Sequence, residues 1–549
     1  MTRTMTGGEA IVEGLKAQGV DTVFGLPGAQ MYPFFDALAR HAQDIRTIGA
    51  RHEQTCGYMA FGAARATGKP AVYSVVPGPG MLNTTAALAT AWGTCTPILC
   101  VTGQVPTSYL GKKRGHLHEI PDQLGTMRSL VKWAERIERP ADAPELVAEA
   151  FRQMQTGRPG PVALEMCWDT MASSEAVPAA QRAILPAPAA PDAEAVRRAI
   201  ELIRDAKQPM IMVGTGAQHA PEAILRLAER LGAPVAAFRG GRGVVDETGP
   251  YGLSSYAAHK YFAQCDLLIG IGSRLEMPYM RWQPGSQRVE RPQTPPVLLR
   301  IDVDPEEMLR FPPQAGIVGD CAVVVPALLA ALEEAGHAPA DKRAAIEQAR
   351  MQAGAEIRQV QPQLDYLEVI RAALPADGFL VEELCQVGFA SYFGYPVHRP
   401  RTYVSSGFQG TLGFGFPTAL GVKAANPAKP VVSITGDGGL LFAVQELATA
   451  RQYGIGLVTI VFNNNAYGNV RRDQEERFGN RIIGADLVNP DFMMLAKAFG
   501  VTGHRVESPA ALAPVLAEAL RRDQPALIEI PSARGSESSP WPFIHPARL

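Results

Sequence analysis

Residues 431–442 read VVSITGDGGLLF, a run of β-branched residues that ends in Gly436-Asp437-Gly438. Residues 457–465, LVTIVFNNN, repeat the pattern, with a second β-branched run ending in Asn463, Asn464 and Asn465. Between Gly438 and Asn463 lie 24 residues that read as a helix, a short turn and the second strand. The two stretches therefore form one βαβ unit. Such a unit delivers Asp437 and Asn464 to the same carboxyl edge of a parallel sheet, where open α/β sheets bind ligands. One asparagine is enough to end a strand, because its side chain bonds nearby backbone. Three in a row call for a further reason.

Chemistry supplies one. Asp437 offers a carboxylate and Asn464 an amide oxygen, and a loop carbonyl close by adds a third oxygen. Hard oxygen donors with positions left open suit Mg²⁺, which commonly completes its octahedron with phosphate oxygens and water. Glycines let a phosphate approach the backbone closely, and the helix that follows presents free N–H groups to it. The unit reads as a Mg²⁺-diphosphate site.

Outward from it, short apolar runs alternate with longer amphipathic stretches along most of the chain. AVYSVV at 71–76, PILCVTG at 97–103, MIMVG at 210–214 and DLLIGIG at 266–272 are examples. Runs of this kind read as strands buried on both faces of parallel sheets. An Ala/Pro-rich stretch over 179–195 reads as a linker, and 333–362 is polar and helical. The expected fold is α/β, with three doubly wound parallel-sheet domains at 1–178, 190–335 and 360–535. A C-terminal tail over 536–549 reads as an ordered cap or arm.

Bulk composition agrees. A chain of 549 residues exceeds what one hydrophobic core holds. Apolar residues make up 46%, charged residues 19%, and the net charge is −2, which argues against a nucleic-acid binder. The seven cysteines form no CxxC pair, as expected of a reduced protein. No run approaches the roughly 18 apolar residues of a membrane span, and the start lacks a signal-peptide core. The expectation is a soluble, cytoplasmic protein.

The GDG motif, the 24-residue spacing and NN together resemble the diphosphate motif of thiamine-diphosphate-dependent enzymes. Further segments extend the resemblance along the chain: GVDTVFGLPGAQMYPFFDAL, ARHEQTCGYMAFGAARATGKPAV, PGPGMLN, SSGFQGTLGFGFPTALG and NPDFMMLAKAFG. The chain is similar to the acetolactate synthase, 2-oxo acid decarboxylase and benzaldehyde lyase branch. That resemblance implies pyrimidine-binding, central and diphosphate-binding domains, in that order. It also implies thiamine diphosphate and Mg²⁺ as cofactors, with Asp437, Asn464 and the carbonyl of Ala466 as metal ligands. Glu53 matches the glutamate that hydrogen-bonds the aminopyrimidine ring and so promotes loss of the thiazolium C2 proton. The implied cofactor-binding set also includes Pro27, Gly28, Pro77, Asn83, Gln409, Gly410, Leu412, Gly436, Gly438, Gly439, Tyr467 and Gly468. Leu412 matches the residue that props the cofactor into its bent shape.

Gln30 and the segment GHLHEIPDQLG fall where relatives place active-site side chains. His118 stands where several carboligases carry glutamine, and His116, His118 and Glu119 form a candidate proton relay. After Gly468 the chain departs from the synthase pattern. Asn469, Val470 and Asp473 take channel-lining positions, and Arg471, Arg472 and Asp473 are compatible with a polar or acidic substrate, or with a solvated helix face. MIMVGTGA and RIDVDP in the central domain are compatible with a dinucleotide. The segment GPYGLSSYAAHKYF at 249–262 matches a flavin-contacting segment poorly, so no tightly bound flavin is expected.

The resemblance implies decarboxylation of a 2-oxo acid, transfer of the acyl carbanion to an acceptor, or both. The alternatives are a hydroxyketone or diketone lyase or hydrolase of the benzaldehyde lyase type and an oxalyl-CoA decarboxylase-like enzyme. In this family the two halves of the cofactor site come from different subunits, so a dimer is the implied minimum and a tetramer is common.

Overall fold

In the computed structural model, which describes residues 2–282, 297–338 and 340–546, residues 431–436 form the third strand of a six-stranded sheet. Spatial order in that sheet is Tyr403–Val404, Phe379–Val381, Val431–Gly436, Val458–Asn463, Ala526–Pro531 and Thr502–Arg505. All pairings are parallel, and Gly436 lies opposite Phe462. The GDG turn and the asparagine run thus leave neighbouring strands at the same edge. Between them the crossover is not one helix but three short pieces, Asp437–Leu440, Val444–Glu446 and Leu447–Tyr453.

Two more parallel sheets of six strands precede it. The first runs Arg46–Gly49, Thr22–Gly25, Ala71–Val75, Ile98–Gln104, Val162–Cys167 and Trp133–Ile137. The second runs Gly252–Leu253, Val235–Ala237, Pro209–Val213, Leu267–Ile271, Val297–Asp302 and Ala315–Val318. Helices connect the parallel strands, as parallel pairing requires. A small antiparallel pair, Thr2–Thr6 with Ser174–Pro178, closes the first unit. No regular element occupies 179–192, the Ala/Pro-rich stretch, before the helix Ala193–Asp205.

The three sheets do not keep separate cores. One cluster of buried side chains joins Tyr58, Met59 and Phe61 of the first unit to Phe414, Phe416 and Leu420 of the third. Another joins Tyr256, Tyr279 and Trp282 of the second to Phe393 and Phe543 of the third. At the first junction the helices Glu53–Thr67 and Gly415–Ala425 cross at backbone contact. A Cβ on Gly62 would lie 2.1 Å from the carbonyl oxygen of Thr418, and one on Gly421 2.0 Å from that of Met59. Only glycine permits that approach.

The polar 333–362 stretch is largely helical: Arg343–Ile357 buries Ile346, Ala349 and Ala353 in the second junction. Of the tail, Trp541–Ile544 forms one helical turn with Phe543 and Ile544 buried, while residues 547–549 lie outside the described residues. All seven cysteines are free thiols. Among the described residues no helix is long and apolar enough to cross a membrane.

Candidate active site

The expected site residues fall into two groups, each at the carboxyl edge of its own sheet. On the first sheet, Pro27, Gly28 and Gln30 follow Thr22–Gly25, Glu53 follows Arg46–Gly49, and Pro77 and Asn83 follow Ala71–Val75. Glu53 opens its helix, with His52 as N-cap, so the carboxylate sits at the positive end of the helix dipole. Asn83 Nδ2 donates to Glu53 Oε2 at 3.0 Å. A Cβ on Gly80 would meet Glu53 Cγ at 3.6 Å, which sets the carboxylate against the turn that carries Pro77.

Gln30 and His118 both adopt the left-handed conformation, with φ of 67° each. Gln30 is fully buried, and its Nε2 donates to the Leu117 carbonyl at 2.6 Å. Its Oε1 must then accept, and His118 Nδ1 lies 2.6 Å from it. The proton of a neutral His118 is therefore on Nδ1, and Nε2 keeps its lone pair. Burial pushes the His118 imidazole down from its ordinary value, against the pull of the neighbouring Glu53 carboxylate. The relay expected of His116, His118 and Glu119 does not form as a unit. Glu119 Oε2 accepts from the backbone N–H of Gly115 and His116, and His116 packs on Tyr109. Both shape the loop; His118 alone turns toward Glu53 and Gln30.

On the third sheet, the asparagines divide. Asn463 donates to Glu529 at 2.8 Å and ends the strand. Asn465 takes φ of 52° and turns the chain. Asn464 Oδ1 accepts from the Ala466 N–H at 3.1 Å, and its Nδ2 donates to Glu537 Oε2 at 2.8 Å. Two glycines are required for contact here. A Cβ on Gly438 would lie 2.5 Å from the Tyr467 ring, and one on Gly468 2.8 Å from Asn464 Nδ2. Burial raises the Asp437 carboxyl above its ordinary value. Burial also raises that of Glu537, and the charge of Asp437 adds to the effect.

Three contributors were not legible in the sequence. Asn489 Nδ2 stands 2.6 Å from Asp437 Oδ2, 2.9 Å from Asn463 Oδ1 and 3.2 Å from Asn465 Oδ1, more acceptors than its two hydrogens serve. Its only signal was membership in NPDFMMLAKAFG. Glu537 arrives from the C-terminal segment. Glu383, fully buried, accepts the N–H groups of Gly413, Phe414 and Gly415 at 2.7, 3.1 and 2.8 Å and the Thr435 hydroxyl at 3.3 Å. It ties the loop carrying Gln409, Gly410 and Leu412 to the strand that ends in Gly436 and leads into Gly439. Burial lifts Glu383 to about 7.

Asp437, the Asn464 amide and the Ala466 carbonyl offer oxygen donors at this edge, beside the Asn489 amide that donates to Asp437 Oδ2, and among the described residues no basic side chain bonds Asp437. A divalent cation with a diphosphate would fit that arrangement. Downstream, Arg471 pairs with Glu475 and Asp486, and Asp473 with Arg477, on a half-buried helix. Those residues read as the solvated face. Arg472 turns the other way, to Gln386 Oε1 and the Glu537 carbonyl at 3.0 and 2.8 Å.

Among the described residues no hydrogen bond or ion pair joins Glu53, Asn83, Gln30 or His118 to Asp437, Asn464 or Ala466. A separate cavity of about 430 Å³ lies between the units, lined by Gly214, Gly216, Arg239, Asp302, Arg65 and Arg401 among others. GTGA and the acid after the later strand do meet there, whereas the 249–262 segment packs into the core instead.

Residues 5–126, 196–328 and 385–530 match the N-terminal TPP binding, central and C-terminal TPP binding domains of thiamine pyrophosphate enzymes. The chain belongs to the thiamine pyrophosphate enzyme family. It is 34% identical to the Probable 2-ketoarginine decarboxylase AruI of Pseudomonas aeruginosa, over 91% of this chain and 89% of that one. Identity is also 34% to the Probable acetolactate synthase large subunit of Methanocaldococcus jannaschii, over 96% and 92%. Against the Acetolactate synthase isozyme 1 large subunit of Escherichia coli it is 30%, over 99% and 96%. The chain is a thiamine-diphosphate-dependent enzyme of the acetolactate synthase and decarboxylase type.

Proposed function

We propose that the enzyme decarboxylates a 2-oxo acid and protonates the acyl unit left behind, releasing an aldehyde. His118 carries this reading. Its Nδ1 proton is committed to Gln30, so Nε2 is the free atom: it would take a proton from water and, as the imidazolium, pass that proton to the acyl carbon. Bound thiamine diphosphate supplies the nucleophilic carbon and the electron sink. The chain's residues do the rest. Glu53, steadied by Asn83, would share a proton with the aminopyrimidine ring. Asp437, Asn464 and the Ala466 carbonyl would hold Mg²⁺ beside the diphosphate. Leu412, on the loop pinned by Glu383, would support the middle of the cofactor.

The two half-sites are proposed to meet across a dimer, Glu53 of one copy facing Asp437 of another. The absence of any bond between them within the described residues of one chain supports this. So do the exposed apolar side chains beside each half, Leu82 next to Asn83 and Phe442 against Gly413.

The test is a 2-oxo acid panel that includes pyruvate and guanidinium-bearing acids, the latter prompted by the Pseudomonas relative. CO₂ and free aldehyde in equal amounts are expected, with no flavin absorbance in the purified protein. Ligated hydroxyketone or acetolactate in place of aldehyde would make it a carboligase. Cleavage of benzoin, or dependence on a CoA ester, would contradict the reading.

A further inference from the structure

The amide of Asn464 has two unlike ends, and only its oxygen is of use to a cation. The Nδ2 end faces Glu537 Oε2 at 2.8 Å. A carboxylate accepts and never donates, so it meets only the NH₂ end. That leaves Oδ1 on the opposite side, beside Ala466, where it accepts one N–H and has a second lone pair to give. A flipped amide would turn NH₂ hydrogens toward the cation.

Glu537 reaches this place from outside the βαβ unit. Its segment follows the strand Ala526–Pro531 and is anchored at several points. Arg472 Nη2 donates to the Glu537 carbonyl, Gln363 Nε2 to the Ser538 carbonyl at 2.6 Å, and the Ser538 N–H to the Gln361 carbonyl at 3.2 Å. Trp541 Nε1 donates to Asn469 Oδ1. The C-terminal segment is therefore docked against the Asp437–Asn464 edge by contacts that do not involve Asn464, and the Glu537 side chain is the one that does.

We infer that Glu537 is a positioning residue for the metal site, holding the Asn464 amide with its oxygen toward the ion. The inference rests on Asp437 and Asn464 being the metal pair. Outer partners of this kind typically tune metal affinity about 10- to 100-fold.

The measurement is Mn²⁺ affinity. Protein stripped with EDTA is titrated with Mn²⁺ in the presence of thiamine diphosphate, and free Mn²⁺ is read by EPR. Wild type binding far tighter than Asp437→Ala marks the site itself. Glu537→Ala is expected to weaken Mn²⁺ about tenfold. Glu537→Gln still offers an oxygen to Asn464 Nδ2 and is expected to stay within about threefold of wild type. Gln363→Ala loosens the segment without touching Asn464 and is expected to bind Mn²⁺ like wild type. Glu537→Ala binding like wild type would overturn the inference, as would Gln363→Ala weakening it equally. Wild type no tighter than Asp437→Ala would overturn the metal reading and this one with it.

Discussion

Glu53 is a single carboxylate whose use depends on what faces it. Asn83, the Gly80 turn and His118 lie beside it, and Asn83 donates to it. A carboxylate so placed is free to share a proton with a ring nitrogen. Glu53→Gln is expected to slow C2 proton exchange of bound cofactor by at least about a hundredfold while cofactor binding persists. NMR-monitored H/D exchange checks this, and unchanged exchange would remove Glu53 from its role. Glu382 is the opposite case. It is fully buried, its Oε2 has no hydrogen-bond partner among the described residues, and burial lifts it to about 7 against the pull of Ser405, Arg239 and Arg242. In an unfolded chain it would titrate near about 4.3. Between those values the folded protein binds more protons, so this group's contribution to stability falls as pH rises from about 4 to about 7, then levels. Glu382→Gln should remove that loss. Thermal melts should show it more stable than wild type at pH 8, by about 2 kcal/mol, and little different at pH 4.5.

At the scale of elements, the βαβ unit was readable because both of its strands are continuous β-branched runs, each with its own stop. Spacing alone then placed Asp437 beside Asn464. What escaped were the groups that complete it from afar. Glu537 and Asn489 belong to neither strand and carry no periodic signal; folding alone brings them to Asn464 and Asp437. Glu383 was hidden for a different reason, since a glutamate just after an apolar strand reads as a solvated end, yet this one is capped by three backbone N–H groups. The broken crossover was equally hidden, because GLLFAVQELATARQY has helical composition throughout. Helix crossing is where elements become most sensitive. A Cβ at Gly421 would press on the Met59 carbonyl at the crossing of Glu53–Thr67 and Gly415–Ala425. Gly421→Ala is expected to destabilise by about 2–3 kcal/mol, read by urea unfolding. It should also disturb Glu53, which opens one of the two helices. Wild-type stability would mean the crossing yields more easily than the contact distances allow.

Over the whole molecule, three parallel sheets share two hydrophobic junctions, and each proposed half-site stands at the carboxyl edge of its own sheet. The third unit takes part in both junctions, so it is the hub on which the other two are fixed. In the proposed dimer each chain would present one pyrimidine-end face and one diphosphate-end face, and a second copy would close them on one another. Co-expression of Glu53→Gln with Asp437→Ala, each inactive alone, tests this directly. A hybrid dimer carries both substitutions in one site and neither in the other. The account predicts that the mixture regains about a quarter of wild-type decarboxylase activity. A mixture as inactive as its two parents would contradict it.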